Sequence, residues 1–283
     1  MKVAFVTDSG TGKSVKEWEK EGIFSLPLQI EVEGDCFEEL ETIQISDILR
    51  NLHNQKIMKT SLPKLGEIED MFESIKQKGY DLIFAVPICS GLSSTMSTMQ
   101  MAAKTVDIEF IGVDCYSTAV VQTYMIQTAK KMYEAGSTMD SIVASLEKIA
   151  KSCRTLLLCD DLQHMKRGGR LTPMAAALGG LLKIKPILYL EDSTKGRVDV
   201  LDKVRTMKKA ENRVIDYLLD KGVNGNYTFV LAHVDALEEA KEYAARIEEK
   251  IQGAKVKIIE LVSTVSVHTG LGCLAVQTFD PRG

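Results

Sequence analysis

Three stretches of this chain place small hydroxyl residues where an anion could be held: Thr60-Ser61 in "TSLP", Ser90, Ser93 and Ser94 in "SGLSST", and Asp8-Ser9 in "VTDS". A fourth group, Asp114 with Ser117-Thr118, follows the strand-like "EFIGVD". Taken singly, each reads as a helix N-cap, in which a side-chain oxygen satisfies an orphan backbone N–H for about 1 kcal/mol. Taken together they read differently. Two hydroxyl clusters converging at positive helix ends favour one carboxylate or phosphate. Two glycine turns, "RGGR" (167–170) and "HTGLG" (268–272), permit close backbone approach and carry Arg170 and His268. Of the four histidines, only His268 stands between hydroxyl residues (Ser263, Thr264, Ser266) and such a turn. His53 reads as a surface residue of a polar helix, His233 as the end of an apolar strand, and His164 as part of a basic stretch. That stretch has no acid between Asp161 and Glu191, while Lys166, Arg167, Arg170, Lys183 and Lys185 supply positive charge. It reads either as a solvated face or as an anion or docking site.

The opening "AFVTDSGTGKSV" imitates a phosphate-cradling loop, but a P-loop needs glycine five residues before Gly12, where Thr7 stands. Asp8 would also put a carboxylate in the cradle. Lys13 is therefore expected to be an ordinary solvated helix residue.

The hydroxyl groups at 7–9, 90–95 and 114–118 sit at the carboxyl ends of strand-like stretches, where open parallel sheets bind ligands, while Thr60-Ser61 stands in the loop opening the helix before "DLIFAVPI". "KVAFVT", "FSLPLQIEV", "DLIFAVPI" and "EFIGVD" read as strands, with Pro27 marking an edge or bulge in the second. Helical patterns intervene, including "LGEIEDMFESI" with Leu65, Ile68, Met71, Phe72 and Ile75 on one face. The order predicts an α/β fold, with an N-terminal parallel sheet covered by helices on both faces. After "RTLLLC" the style becomes α+β with a mixed sheet and a hairpin around Lys195-Gly196. The division is placed near residue 155, giving a unit of 1–155 that carries the hydroxyls and a unit of 156–283 that carries the basic stretch.

With 283 residues, 45% of them hydrophobic and 26% charged, the chain has ample material for a core. A net charge of −4 argues against a general nucleic-acid binder, and the apolar runs are too short to span a bilayer. Asp8 interrupts any leader-like stretch, and the six cysteines form no CxxC pair. The expectation is a cytoplasmic protein with reduced thiols, no integral membrane association and no metal site.

Seven motifs in order, "VTDS", "TSLP", "SGLSST", "KRGGRLT", "LLKIKPIL", "KVRTMKKA" and "HTGLG", resemble the DegV family over essentially the whole length. The resemblance implies a two-domain protein that binds a long-chain fatty acid in a buried tunnel between its domains. It implies no cofactor and no catalytic residue of its own. The partner it implies is the catalytic subunit of a bacterial fatty acid kinase, which phosphorylates the bound carboxylate. Thr60 and Ser93 are then the carboxylate ligands, with Ser61, Ser90 and Ser94 nearby; Arg170, His268, Asp8 and Ser9 support the headgroup and phosphate transfer. Ser94 and Leu271 depart from the family pattern, which usually has glycine and proline there. Burying about fourteen methylenes at roughly 0.8 kcal/mol each gives about 11 kcal/mol before association costs. Met96, Met99 and Met101 are candidates to line the tunnel, or ordinary core residues. Two other readings stand beside this one. One is a hydrolase or phosphotransferase using Ser93, His268 and Asp8; the other is a small-anion-binding regulatory protein.

Overall fold

The first strand, β1 (Val3–Asp8), is buried at every residue, as a strand covered on both faces must be. The computed structural model describes residues 1–177 and 184–283; the "LLK" run at 181–183, with Lys183, lies outside them. After β1 come α1 (Val15–Lys20), β2 (Phe24–Leu26), β3 (Gln29–Val32), β4 (Asp35–Glu38), α2 (Ile45–His53) and β5 (Met58–Ser61). Then follow α3 (Leu65–Gln77), β6 (Leu82–Ala85), α4 (Thr95–Val106), β7 (Glu109–Gly112), α5 (Val120–Glu134) and α6 (Met139–Ser152). Strands β2-β1-β6-β7 form a parallel sheet. Alternation along β1 and β6 splits its two faces. Ala4, Val6, Ile83 and Ala85 meet Ile68 and Phe72 of α3 and Met99 of α4. Val3, Phe5, Leu82 and Phe84 meet Met125 and Ile126 of α5 and Leu146 of α6. The expected helix-covered parallel sheet is present.

One expectation is corrected. The stretch 24–32 is two strands in two sheets, because Pro27 lacks the N–H to continue a ladder. β2 pairs with β1, whereas β3 joins β4 and β5 in a separate antiparallel sheet. That small sheet was not anticipated. Its strands are short and partly exposed, so their hydrophobic pattern is weak.

The chain enters its second large sheet just ahead of the expected division. The elements are β8 (Arg154–Leu158), α7 (Leu162–Arg167), α8 (Pro173–Ala177), β9 (Lys185–Glu191), β10 (Asp199–Val204) and α9 (Met207–Asp220). The last are β11 (Thr228–His233), α10 (Leu237–Lys250), β12 (Val256–Glu260), α11 (Ser263–Thr269) and β13 (Leu274–Phe279). The order β10-β9-β8-β13-β11-β12 is antiparallel except for the β11–β12 pair, a mixed sheet as expected. The β9–β10 hairpin turns through Lys195 and Gly196, both at positive φ. One face of this sheet (Leu156, Leu158, Phe229, Leu231, Leu274, Val276) packs on α9 and α10. Leu157, Ala232 and Ala275, on the other face, share a single core cluster with the parallel sheet. No described helix is long and apolar enough to cross a membrane.

Candidate functional site

Between that second face and the ends of the parallel strands runs an apolar tunnel with about 930 Å³ of unfilled space, part of it open to solvent. Its walls include Leu157, Leu190, Val230, Ala232, Ile259 and Leu261, and its mouth includes Thr60, Ser61, Ser93, Arg170 and His268. A wider polar hollow of about 960 Å³ continues outward past Ser90, Ser94, Thr172 and Arg197. The residues singled out from four distant motifs thus share one rim.

Thr60 is not in a helix-opening loop, as the sequence pattern had it. It belongs to β5, paired with Ile30 of β3, while the N-cap position of α3 is Lys64. Its hydroxyl lies 2.6 Å from His268 Nε2. His268 rides near the end of α11, a short helix fastened at both ends. At its start, Glu39 Oε1 accepts from the Thr264 N–H at 2.7 Å. Near its finish, His164 Nε2 lies 2.8 Å from the Val267 carbonyl, tying α7 to α11. The glycines of "RGGR" now have a reason. A Cβ on Gly168 would stand 2.4 Å from His268 Nδ1, so only glycine lets the imidazole lie against that backbone.

Burial, with the charge of Arg170 and then His164 adding to it, pushes the His268 pKa down from 6.5 to about 3. The ring is neutral at ordinary pH, and the positive charge of the mouth is Arg170. That guanidinium is half-buried, which lowers its pKa. It donates to the Gly168 carbonyl at 2.6 Å and has no carboxylate partner among the described residues. Of the other basic residues, Lys185 pairs with Asp160 and Arg167 points to His164.

Ser93 Oγ lies 2.8 Å from Thr95 Oγ1, at the start of α4; Ser94 holds the N-cap position without a side-chain cap bond. The "SGLSST" loop is clamped in place. A Cβ on Gly91 would come within 2.1 Å of the Gly196 backbone in the β9–β10 hairpin turn.

Asp8 and Ser9 are not at the mouth, and this corrects their assignment to the headgroup. Asp8 is fully buried and accepts from the Gly10 N–H (2.9 Å), the Ile88 N–H (2.8 Å) and Gln122 (2.9 Å). Desolvation raises its pKa to about 6 against those hydrogen bonds. Ser9 Oγ donates to Glu39 at 2.6 Å and accepts from the Leu28 N–H. Nor do Ser93, His268 and Asp8 form a triad, since each bonds a different partner. The three methionines are also elsewhere: Met99 is in the core under α3, Met96 covers Gly112 and Met101 is exposed. Met165, from α7, is the methionine that lines the tunnel.

The family model described as "Uncharacterised protein, DegV family" matches residues 2–280. The chain belongs to the DegV family. Among its DegV relatives, a DegV domain-containing protein of Listeria monocytogenes is 30% identical over 278 residues, covering 96% of each chain. Among solved structures, DegV of Bacillus subtilis, described as a fatty acid binding protein, is 27% identical with a TM-score of 0.85 over 99% of both chains. A fatty acid binding DegV family protein from Streptococcus agalactiae superposes with a TM-score of 0.89 at 24% identity, again over 99% of both.

Sequence reasoning missed Glu39 in this DegV chain. It is fully buried, its pKa is pushed up to about 7 by desolvation, and it fastens the helix that carries His268. Nothing local marks it, because "CFEELET" reads as a charged loop. Gln122 and Gln277, buried amides of α5 and β13, were missed for the same reason: each bonds residues more than a hundred positions away, Thr7 and Asp8 for Gln122 and Ser117 for Gln277.

Proposed function

We propose that this chain binds a long-chain fatty acid in the tunnel and presents its carboxylate to a separate kinase subunit for ATP-dependent acyl-phosphate formation. The unit of residues 1–155 supplies the hydroxyls, and the unit of 156–283 covers the acyl chain and supplies the basic residues. The observation that carries this reading is one juxtaposition. An apolar tunnel between the two sheets opens onto Thr60, Ser93, Arg170 and His268. The fatty-acid-binding descriptions of the Bacillus subtilis and Streptococcus agalactiae relatives support it.

The chemistry follows from unspent hydrogens. With His268 neutral and its Nε2–H donating to Thr60 Oγ1, the Thr60 hydroxyl hydrogen is left for a ligand carboxylate. With Thr95 donating to Ser93, the Ser93 hydrogen is left likewise. Arg170 supplies the counter-charge, while affinity comes mainly from burying methylenes. A carboxylate oxygen held there attacks the γ-phosphorus of ATP on the partner. The P–O bond to ADP breaks, and Arg170 and His268 face the charge that builds up.

Denaturing extraction of the purified protein followed by mass spectrometry should release a long-chain fatty acid. Adding a fatty acid kinase and ATP should convert it to the acyl phosphate. Lipid-free protein that hydrolyses acyl esters alone would overturn the reading.

A further inference from the structure

One stretch of the tunnel wall is polar. Cys159 and Cys273, with sulfurs 3.5 Å apart, follow β8 and precede β13 beside the turn that follows His268. From there the two strands run inward to Thr155 and Gln277, which face each other in register. Four residues at about 3.3 Å each place that pair about 13 Å along the strands from the cysteines. Both residues line the tunnel together with Ser117.

There, Ser117 Oγ and Thr155 Oγ1 lie 2.7 Å apart. The Gln277 amide donates to Ser117 Oγ (2.9 Å) and the Thr118 carbonyl (2.9 Å), and reaches Thr155 Oγ1 at 3.2 Å. Its oxygen accepts from the Val121 N–H. Ser117 is fully buried, Thr155 is 7% exposed and Gln277 5%. The donor count does not close. Two hydroxyls carry two hydrogens and one is used between them, while the two Gln277 amide hydrogens go to the Thr118 carbonyl and to the hydroxyl pair. The second hydrogen has no oxygen or nitrogen acceptor among the described residues. The alternative within reach is the Cys153 thiol, a weak acceptor. Buried donors are rarely left so, and each such group calls for an explanation.

A saturated chain would lay only methylene against this floor. We propose that Ser117, Thr155 and Gln277 form a polar subsite that selects long-chain acids bearing a hydroxyl or keto oxygen in the distal half of the chain. The inference rests on the fatty-acid reading above. An oxygen at that depth accepts the spare hydrogen, and a ligand hydroxyl can in turn donate to the cluster.

The test is competition on the delipidated full-length protein between stearic acid and a series of hydroxystearic acids, with the hydroxyl stepped from mid-chain to the methyl end. At least one isomer should bind about fivefold tighter than stearate, the worth of one neutral hydrogen bond. In Thr155→Val that ratio should collapse towards one, and in Thr155→Ser it should persist. Stearate binding with no isomer preferred would overturn the subsite alone, and that arm needs no variant. A preference that survives in Thr155→Val would also overturn it. Failure of every acid to bind would overturn the fatty-acid reading and the subsite with it.

Discussion

Thr60 and Ser93 at the tunnel mouth, and Ser9 and Thr264 behind it, come from equally hydroxyl-rich motifs, yet they sit in opposite kinds of site. Behind the mouth, the protein saturates its own charge. Asp8 and Glu39 each accept three hydrogen bonds from protein donors, and Ser9 and Thr264 spend their hydrogens there. At the mouth, nothing is saturated. Arg170 lacks a carboxylate among the described residues, His268 is held neutral, and the hydroxyls at 60 and 93 each keep a hydrogen for a ligand when His268 and Thr95 are the donors to them. A residue type does not mark a ligand site; an imbalance between donors, charges and acceptors beside a cavity does.

The sharpest way to break this contrast is to remove the unspent donors. Thr60→Val combined with Ser93→Ala deletes two hydrogen bonds to a charged group, each worth about 1.5–3 kcal/mol. Stearate affinity of the delipidated protein should fall by at least about 100-fold. Melting curves would verify that the variant is folded. Unchanged affinity in a folded variant would make the mouth as self-contained as the junction behind it.

The next effect belongs to the junction. Glu39 titrates at about 7 when folded, against an ordinary value near 4.5, because burial disfavours its charged form. The folded state therefore holds that proton more tightly than the unfolded chain does. Its contribution is fully present below about pH 4.5 and is lost as pH rises through about 7. Asp8 acts with the same sign at about pH 6. His268, depressed to about 3, acts oppositely: its contribution is present above about pH 6.5 and fades as pH falls. Comparing wild type with Glu39→Gln isolates the first term. The stability advantage of the wild type should shrink by up to about 3 kcal/mol between pH 5 and pH 8 in urea melts. A constant difference would mean that Glu39 stays charged across that range.

Much of this was legible in the sequence. Strand ends, helix faces and glycine turns located the rim, because alternation and 3.6-residue periodicity are local signals that survive without tertiary context. Thr60, Ser93, Arg170 and His268 were all named from their motifs. What failed was assigning motif neighbours to the same task. Asp8 and Ser9 share a motif at a strand end, but β1 is covered on both faces, so its end is buried and its polar groups must be paired inside. Glu39, Gln122 and Gln277 were invisible because their function is a contact across the fold. The β2–β3 break at Pro27 was half visible: a proline signals an interruption, but not a change of sheet.

A smaller effect separates binding from transfer within the mouth. Arg170→Ala and His268→Ala leave the tunnel walls intact, so both proteins should still release fatty acid on extraction. Acyl-phosphate formation with a fatty acid kinase and ATP should slow at least about tenfold, equivalent to roughly 1.4 kcal/mol of transition-state stabilisation. Loss of lipid from either variant would move that residue into the binding site proper. Normal rates in both would leave the unpaired charge of Arg170 without a role in the chemistry.

The smallest effect tests the motif that imitates a phosphate loop. Lys13 is not the solvated helix residue its position implied. Ser14 caps α1, so Lys13 precedes the helix, where it pairs with Glu21 at 2.5 Å and lies 4.3 Å above the Trp18 ring. Glu21 also accepts from Gln127, so the pair links α1 to α5. Asp8, meanwhile, already takes the Gly10 N–H that a phosphate would need. Lys13→Ala should therefore cost stability, by about 1 kcal/mol for a partly exposed ion pair with a cation–π contact. It should leave stearate affinity and acyl-phosphate formation unchanged, because no atom of Lys13 reaches the tunnel or its mouth. Isothermal titration with ATP should give no heat for either protein. ATP binding by the wild type that disappears in Lys13→Ala would restore a nucleotide site to the first turn of the chain.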